Sequence, residues 1–277
     1  MIKKLLVPTD FSEQADQAFE VACQLAKRYN AQLHLIHLVE FPNTILESVT
    51  GTQRFDPPEA LFFLKMAQKS FQELKSQPCA KGIEIIEMVK FNNIYQGILD
   101  YAKSESIDTI IMGSHGTSGF EELFIGSNTE KIVRHATRPV LVIKKQHIHF
   151  KVKTLVFATD LDDDNVKPLK KAFEFAEAEE ASLKLVYINT PDRFETTEKI
   201  TSLFETFSAK INKTINDFEI YNDLKVARGI MNYAKNLNAD LIAIGTHGRK
   251  GLAHFFNGSL SEDLVNHAKR PVLTFKI

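Results

Sequence analysis

The chain has 277 residues, is 44% hydrophobic and 25% charged, and carries a formal net charge of −1. That near-neutral balance excludes a general basic field for nucleic acid or an anionic membrane. Its two cysteines, Cys23 and Cys79, are too few for a thiolate metal site or a disulfide framework and fit a reducing compartment. No apolar run approaches the ~20 residues that span a bilayer, and the run after Lys3 and Lys4 stops at Pro8, too short for the core of a signal peptide. The expected home is the cytoplasm, with no nucleic-acid or membrane partner.

"KKLLVPT" reads as a short strand that ends at Pro8. "SEQADQAFEVACQLAKRYN" has apolar residues at 15, 18, 19, 21, 22, 25 and 26, the spacing of an amphipathic helix, with Ser12 as its N-cap and Cys23 on its core face. "QLHLIHLV" is a second strand. The polar, Pro- and Gly-containing stretch 43–58 reads as a loop. Then come the helix "PEALFFLKMAQKSFQELKS", the strand "IEIIEMV" (83–89), the helix "NIYQGILDYAKSES" and a fully apolar strand, "DTIIMG". A glycine-rich loop leads to the helix "NTEKIVRHAT" and to a fifth strand, "PVLVIK".

The chain then repeats itself, with strands "TLVFAT", "LKLVYI", "FEIYND", "DLIAIG" and "PVLTFK". Asp10 pairs with Asp160 and Leu35 with Leu185 at an offset of 150; Gly97 pairs with Gly229 and Asp108 with Asp240 at an offset of 132. From Gly113 to Ile143, 15 of 31 positions match their partners, so the chain is an internal duplication. The change of offset puts 18 extra residues in the first half, mostly in the loop after the second strand. The expected domains are 1–145 and 151–277. "HIH" (147–149) falls in the linker between them and lacks a third metal ligand.

Alternating β and α units imply, in each half, a doubly wound α/β domain: a parallel sheet with helices on both faces. Ligands of such sheets bind beyond the carboxyl ends of the strands at the switch point. The first strand ends in "PTD" and the fourth in the glycine loop, so neighbouring first and fourth strands would bring Asp10 and Gly113, or Asp160 and Gly245, to one crevice.

The loop itself has a spacing that is repeated. Gly113, Gly116, Gly126 and Ser127 match Gly245, Gly248, Gly258 and Ser259. Glycines let a ligand approach the backbone, and a Gly-Ser pair opening a helix presents unpaired N–H groups and a dipole to an anion. No Lys-Ser or Lys-Thr follows the glycines and they do not follow the first strand, so the loop is neither a Walker loop nor a dinucleotide fingerprint. The same glycines read equally as turn and cap residues. Likewise Asp10 and Asp160 read as turn-capping aspartates or as acceptors for a ribose hydroxyl or holders of Mg²⁺ near phosphates.

Together, "PTDFSE", "MGSHG", the Gly-x2-Gly-x9-Gly-Ser spacing and "RPVLVIK" resemble the universal stress protein family in its tandem two-domain form, over nearly the whole chain. The resemblance implies a five-stranded parallel sheet of order 3-2-1-4-5 in each half. It implies adenine-nucleotide binding (ATP, or ADP or AMP, with Mg²⁺ accompanying the phosphates). The matching positions are Pro8, Thr9, Asp10, Leu38, Met112, Gly113, Gly116, Gly126, Ser127 and Asn128 in the first half. In the second they are Thr159, Asp160, Ile188, Gly245, Gly248, Gly258, Ser259 and Leu260. The acidic run Asp162, Asp163 and Asp164 would repel phosphates if it lay near them, so the first crevice is the expected better site. Loop 43–58, with Arg54, could close over it. The apolar fifth strands are edges that would pair with each other, giving an intramolecular pseudo-dimer; a further homodimer stays open.

The resulting expectation is a stress-response binding module regulated by nucleotide. A slow ATPase or self-phosphorylating protein is the alternative, with His115 and His247 as the imidazoles inside the loops, although loop-ordering hydrogen bonds are their plainer role. A nucleotide-free scaffold is the third reading. No catalytic residue is assigned.

Overall fold

The computed structural model describes residues 2–40, 57–114, 126–246 and 260–277. The first half runs β1 (Lys4–Pro8), α1 (Glu13–Tyr29), β2 (Gln32–Val39), α2 (Pro57–Ser76), β3 (Ile85–Phe91), α3 (Ile94–Ser104), β4 (Thr109–Gly113), α4 (Ser127–His135) and β5 (Val140–Ile143). The second repeats it with β6 (Thr154–Ala158), α5 (Val166–Glu179), β7 (Ser182–Asn189), α6 (Thr197–Ser208), β8 (Phe218–Asn222), α7 (Val226–Asn236), β9 (Leu241–Thr246), α8 (Leu260–His267) and β10 (Val272–Lys276).

The ten strands among the described residues form one sheet of order β3-β2-β1-β4-β5-β10-β9-β6-β7-β8. Each half has the expected 3-2-1-4-5 order and is parallel throughout. The halves meet where β5 and β10 pair antiparallel. Each fifth strand thereby loses its exposed apolar edge.

Central strands read as unbroken apolar runs because helices cover both faces. Along β1, Leu5 and Val7 join one core layer and Leu6 the other. The first layer lies under α1, α2, α5 and α6, represented by Phe19, Phe71, Leu169 and Phe207. The second lies under α3, α4, α7 and α8, represented by Ile98, Ile132, Ile230 and Leu264. Both layers run through the seam, so the two halves share their cores.

The helices start where capping chemistry allows. Ser12 Oγ accepts from the Ala15 N–H at 3.3 Å, as its N-cap position requires. β3 begins at Ile85 rather than Ile83, where the sequence reading starts it. Gly82 adopts φ 80° in a turn closed by the Ile83 N–H and the Ala80 carbonyl, so the chain becomes extended only afterwards.

The linker is tied to α1. Gln24 Nε2 donates to the His147 carbonyl at 2.9 Å, the Phe150 N–H donates to Gln24 Oε1 at 2.6 Å, and Arg28 donates to the Phe150 carbonyl at 2.6 Å. Among the described residues no helix is long and apolar enough to cross a membrane.

Candidate crevices beyond the strand ends

Both halves turn out of their first strand by the same device. The Phe11 N–H donates to Thr9 Oγ1 at 2.9 Å and the Ser12 N–H to Asp10 Oδ1 at 3.1 Å. In the second half the Leu161 N–H donates to Thr159 Oγ1 at 2.9 Å and the Asp162 N–H to Asp160 Oδ1 at 3.1 Å. Phe11 (φ 61°) and Leu161 (φ 66°) both sit in the left-handed region, which disfavours bulky side chains by about 1–2 kcal/mol. Burial offsets this. Leu161 is in the core and Phe11 packs on Phe71 at 5.4 Å. Asp10 and Asp160 thus do act as turn residues, and each bonds through Oδ1. Asp160 Oδ2 has no hydrogen-bond partner among the described residues.

In the second half these turns border a solvent-open crevice. Thr159, Asp160, Ile188, Gly245 and Leu260, all named from the sequence, line it. The elements explain the convergence. β6 lies between β7 and β9, so the ends of these strands deliver Thr159 and Asp160, Ile188 and Gly245 to one place. Gly248, Gly258, Ser259 and His247 lie outside the described residues.

The acidic run does not line this crevice; among the described lining residues Asp160 is the only carboxylate. Asp162, Asp163 and Asp164 are exposed at the start of a short 3-10 turn that leads into α5, and Asp163 pairs with Lys210. That is where the positive end of a helix favours negative charge. These aspartate side chains are exposed, although Asp162 still helps to raise the pKa of the crevice-lining Tyr187.

Several lining residues escape the sequence reading: Asn165, Tyr187, Thr190, Arg193, Val226 and Ile230. Asn165 Nδ2 donates to Asp160 Oδ1 at 2.6 Å. Arg193 ends a 3-10 turn, Pro191–Arg193, that is held from behind. The buried Asn189 side chain accepts from the Glu195 N–H and donates to the Glu195 carbonyl, both at 3.1 Å. "NTPDR" directly after the second strand was the available signal, because that position lies on the ligand side of the sheet. Burial pushes the Tyr187 hydroxyl pKa up, and the carboxylates of Glu195 and Asp160 add to it, so Tyr187 stays a neutral donor.

The corresponding first-half residues also gather at their strand ends. The Thr9 N–H donates to the Ile36 carbonyl at 2.9 Å, beside Pro8 at the end of β1. Leu38 and Met112 are buried in one core layer. The Gly126 N–H donates to the Ser114 carbonyl at 2.8 Å, and Thr129 Oγ1 to the Gly113 carbonyl at 3.0 Å. These bonds fix the start of α4 on the end of β4. The first intrahelical bond of α4 runs from the Glu130 N–H to the Gly126 carbonyl at 3.1 Å. The N–H groups of Ser127, Asn128 and Thr129 precede it and have no helical acceptor. Gly116, His115 and loop residues 43–56, Arg54 included, lie outside the described residues.

Two glycine pairs carry close contacts. A Cβ on Gly113 would lie 2.5 Å from the Gln14 carbonyl oxygen, and one on Gly245 would lie 2.4 Å from Asn165 Oδ1. So these glycines let the first helix approach the fourth strand, a packing role in addition to any toward a ligand. Gly97 and Gly229, on α3 and α7, would meet Leu38 and Ile188 at 2.0 and 2.6 Å. They make room for the two apolar side chains that the resemblance assigns to the base. Among the described residues no group of three or more His, Cys, Asp or Glu could hold a metal ion.

Comparison with known proteins agrees with this architecture. A sequence profile described as "Universal stress protein family" matches residues 1–144 and again 151–276. Universal stress protein Slr1230 of Synechocystis is 25% identical over 303 aligned positions, covering 99% of this chain and all of that protein. Universal stress protein MJ0577 of Methanocaldococcus jannaschii is 27% identical over 53% of this chain and 98% of its own length. The crystal structure of a universal stress protein from Archaeoglobus fulgidus superposes with a TM-score of 0.75 at 19% identity, covering 99% and 98% of the two chains, which is a likeness of fold. The chain belongs to the universal stress protein family and carries the family's unit twice.

Proposed function

We propose that the chain is a stress-response module that binds an adenine nucleotide in the crevices beyond its strand ends and is regulated by that ligand. The observation that carries this reading is the second-half crevice, where one carboxylate, one cation and an apolar wall converge: Asp160, Arg193, and Ile188 with Val226 and Ile230. An apolar slot with a few placed polar groups is the usual form of a small-molecule site. Ile188 would cover the base face and Asp160 Oδ2 would accept from a ribose hydroxyl. The helix N-terminus after Gly258-Ser259, and in the first half the N–H groups of Ser127 and Asn128, would take phosphate oxygens. Mg²⁺ would arrive with the phosphates, since the described residues offer no cluster for it.

The ligand would act as a regulator only through different affinities for two states of the protein or of its complexes. The units are residues 1–145 and 151–277, and the cell compartment is the cytoplasm.

The test is mass spectrometry of the purified protein under native and denaturing conditions, followed by calorimetric titration with ATP, ADP and AMP. We expect an adenine nucleotide to be released on denaturation, and a loss of affinity of at least about tenfold in Ile188→Asp, equal to about 1.4 kcal/mol. No carried-over nucleotide and no heat of binding at millimolar ATP would overturn the assignment.

A further inference from the structure

Cys23 and Cys79 are the only cysteines of the chain, and the fold packs the elements that carry them against each other. Cys23 is fully buried on the core face of α1. Cys79 is half-buried in the short turn Pro78–Ala80 between α2 and β3. That turn is fixed by backbone bonds, Gln77 N–H to the Leu74 carbonyl at 3.1 Å and Ala80 N–H to the Gln77 carbonyl at 3.0 Å. Ala80 anchors it in the core layer that contains Cys23, and Cys79 packs against the same layer. Helix α1 packs against this turn, and Cys79 Sγ contacts Gln77 Oε1 at 3.5 Å. The second half has no counterpart: Phe173 stands 150 positions after Cys23.

We propose that Cys23 and Cys79 are a peroxide-responsive dithiol that closes to an intramolecular disulfide. The pair divides the work by environment. Cys79 is the half-exposed residue of the two, and Cys23 is fully buried. The neighbouring Cys79 and burial push the Cys23 thiol pKa up and keep it protonated. The thiolate is the nucleophile, so Cys79 attacks one oxygen of a hydroperoxide. The O–O bond breaks, the departing oxygen takes a proton as an alcohol or water, and Cys79 becomes a sulfenic acid. Cys23 sulfur then attacks Cys79 Sγ. The S–O bond breaks and the hydroxide leaves as water with the Cys23 proton. Two thiols are oxidised by two electrons and one hydroperoxide is reduced. With its charge gone, sulfenic Cys79 no longer opposes ionisation of Cys23, which orders the two steps.

The test uses the full chain treated with stoichiometric hydrogen peroxide, then alkylated with iodoacetamide in denaturant and mapped by mass spectrometry. We expect both alkylatable thiols to be lost, a chain about 2 Da lighter through loss of two hydrogens, a peptide cross-linked from Cys23 to Cys79, and full recovery with dithiothreitol. Cys79→Ser, on a half-exposed turn, should leave Cys23 alkylatable at the same peroxide dose. Cys23→Ala should let Cys79 advance to sulfinic acid. Two thiols still free in the treated wild type, sulfinic Cys79 beside a free Cys23, or disulfides only between chains would each overturn the proposal. Because the wild-type map decides it, a Cys23→Ala variant that fails to fold does not block the test.

Discussion

Tyr29 and Glu179 occupy the same place in their two repeats, 150 positions apart, and they bond to each other: Tyr29 Oη donates to a Glu179 carboxylate oxygen across the seam. Leu141 and Leu273, equivalent at an offset of 132, are likewise direct partners where β5 meets β10. A residue that meets its own equivalent lies on a twofold axis. The chain therefore builds an isologous dimer within one polypeptide. A true homodimer would set Tyr against Tyr or Glu against Glu on that axis. Divergence of the halves has placed a donor against an acceptor instead.

The axis should be the strongest link between the halves. The Glu179 side chain is fully buried and also pairs with Arg28, which is held in turn by the Phe150 carbonyl. Breaking a buried pair typically costs about 3–5 kcal/mol. We expect Glu179→Ala to fall at the low end of that range, because Arg28 is partly exposed. Tyr29→Phe removes one hydrogen bond to a charged group and should cost about 1.5–3 kcal/mol. The double variant should be less destabilised than the sum, since the two share one interaction. Urea unfolding followed by circular dichroism and by fluorescence measures all three, and additive losses would contradict the axis contact.

Gly113 and Gly245 separate backbone packing from ligand binding. Alanine at Gly113 would press on the Gln14 carbonyl, a backbone atom in the first turn of α1. Overpacking of this kind costs about 1–3 kcal/mol. At Gly245 the first obstacle is Asn165 Oδ1, at the end of a side chain, with Ile277 next. Asn165 can swing away only by giving up its bond to Asp160. We expect Gly113→Ala to lower the melting temperature more than Gly245→Ala. Equal losses would show that the side chain is as fixed as the backbone.

The repeat and the strands could be read from the sequence because each leaves a local trace, whereas the strand order and crevice residues such as Ile188 and Leu260 came from the family resemblance. Apolar runs mark strands, alternation with helices marks a parallel sheet, and the fixed offset marks the duplication. What could not be read depends on tertiary contact. Nothing local in "KRYN" says that Tyr29 meets its own equivalent, and a lone Arg193 or Asn165 carries no period. The preference for the first crevice rested on Asp162, Asp163 and Asp164 as charges in sequence. In three dimensions they are exposed, and Asp163 forms a surface pair with Lys210. The purpose of Gly97 and Gly229 was also hidden, because the side chains they admit, Leu38 and Ile188, lie on other elements.

Those helical glycines give a test of the base-side wall. A Cβ at Gly229 would sit 2.6 Å from Ile188 Cγ2 and 3.0 Å from Asp223 Cβ. The isoleucine is the movable neighbour, and it lines the crevice. Alanine also raises helix propensity by about 1 kcal/mol over glycine. Gly229→Ala should therefore leave stability within about 1 kcal/mol of wild type, while adenine-nucleotide affinity falls about tenfold, or 1.4 kcal/mol. Calorimetric titration beside a thermal melt distinguishes this from general damage, which would lower both together.

The pH dependence of stability has a predictable sign at Lys144, the residue after β5. Burial lowers its pKa to about 8, against about 10.4 in an unfolded chain. Between those values the unfolded state holds more protons, so this residue makes stability rise with pH. The penalty of burying the charged amine is complete below pH 8 and is relieved through about pH 10.4. Its size is on the order of 3 kcal/mol. Burial also lowers Lys276 and Lys171, with the same sign. Tyr29 and Tyr233 are raised by burial, Tyr29 also by its bond to Glu179, and remove stability above about pH 10. A difference curve isolates Lys144. Lys144→Met should be more stable than wild type at pH 7, and its advantage should shrink steadily from pH 8 to pH 10. An advantage that does not change over that interval would mean that Lys144 keeps its charge solvated in the folded protein.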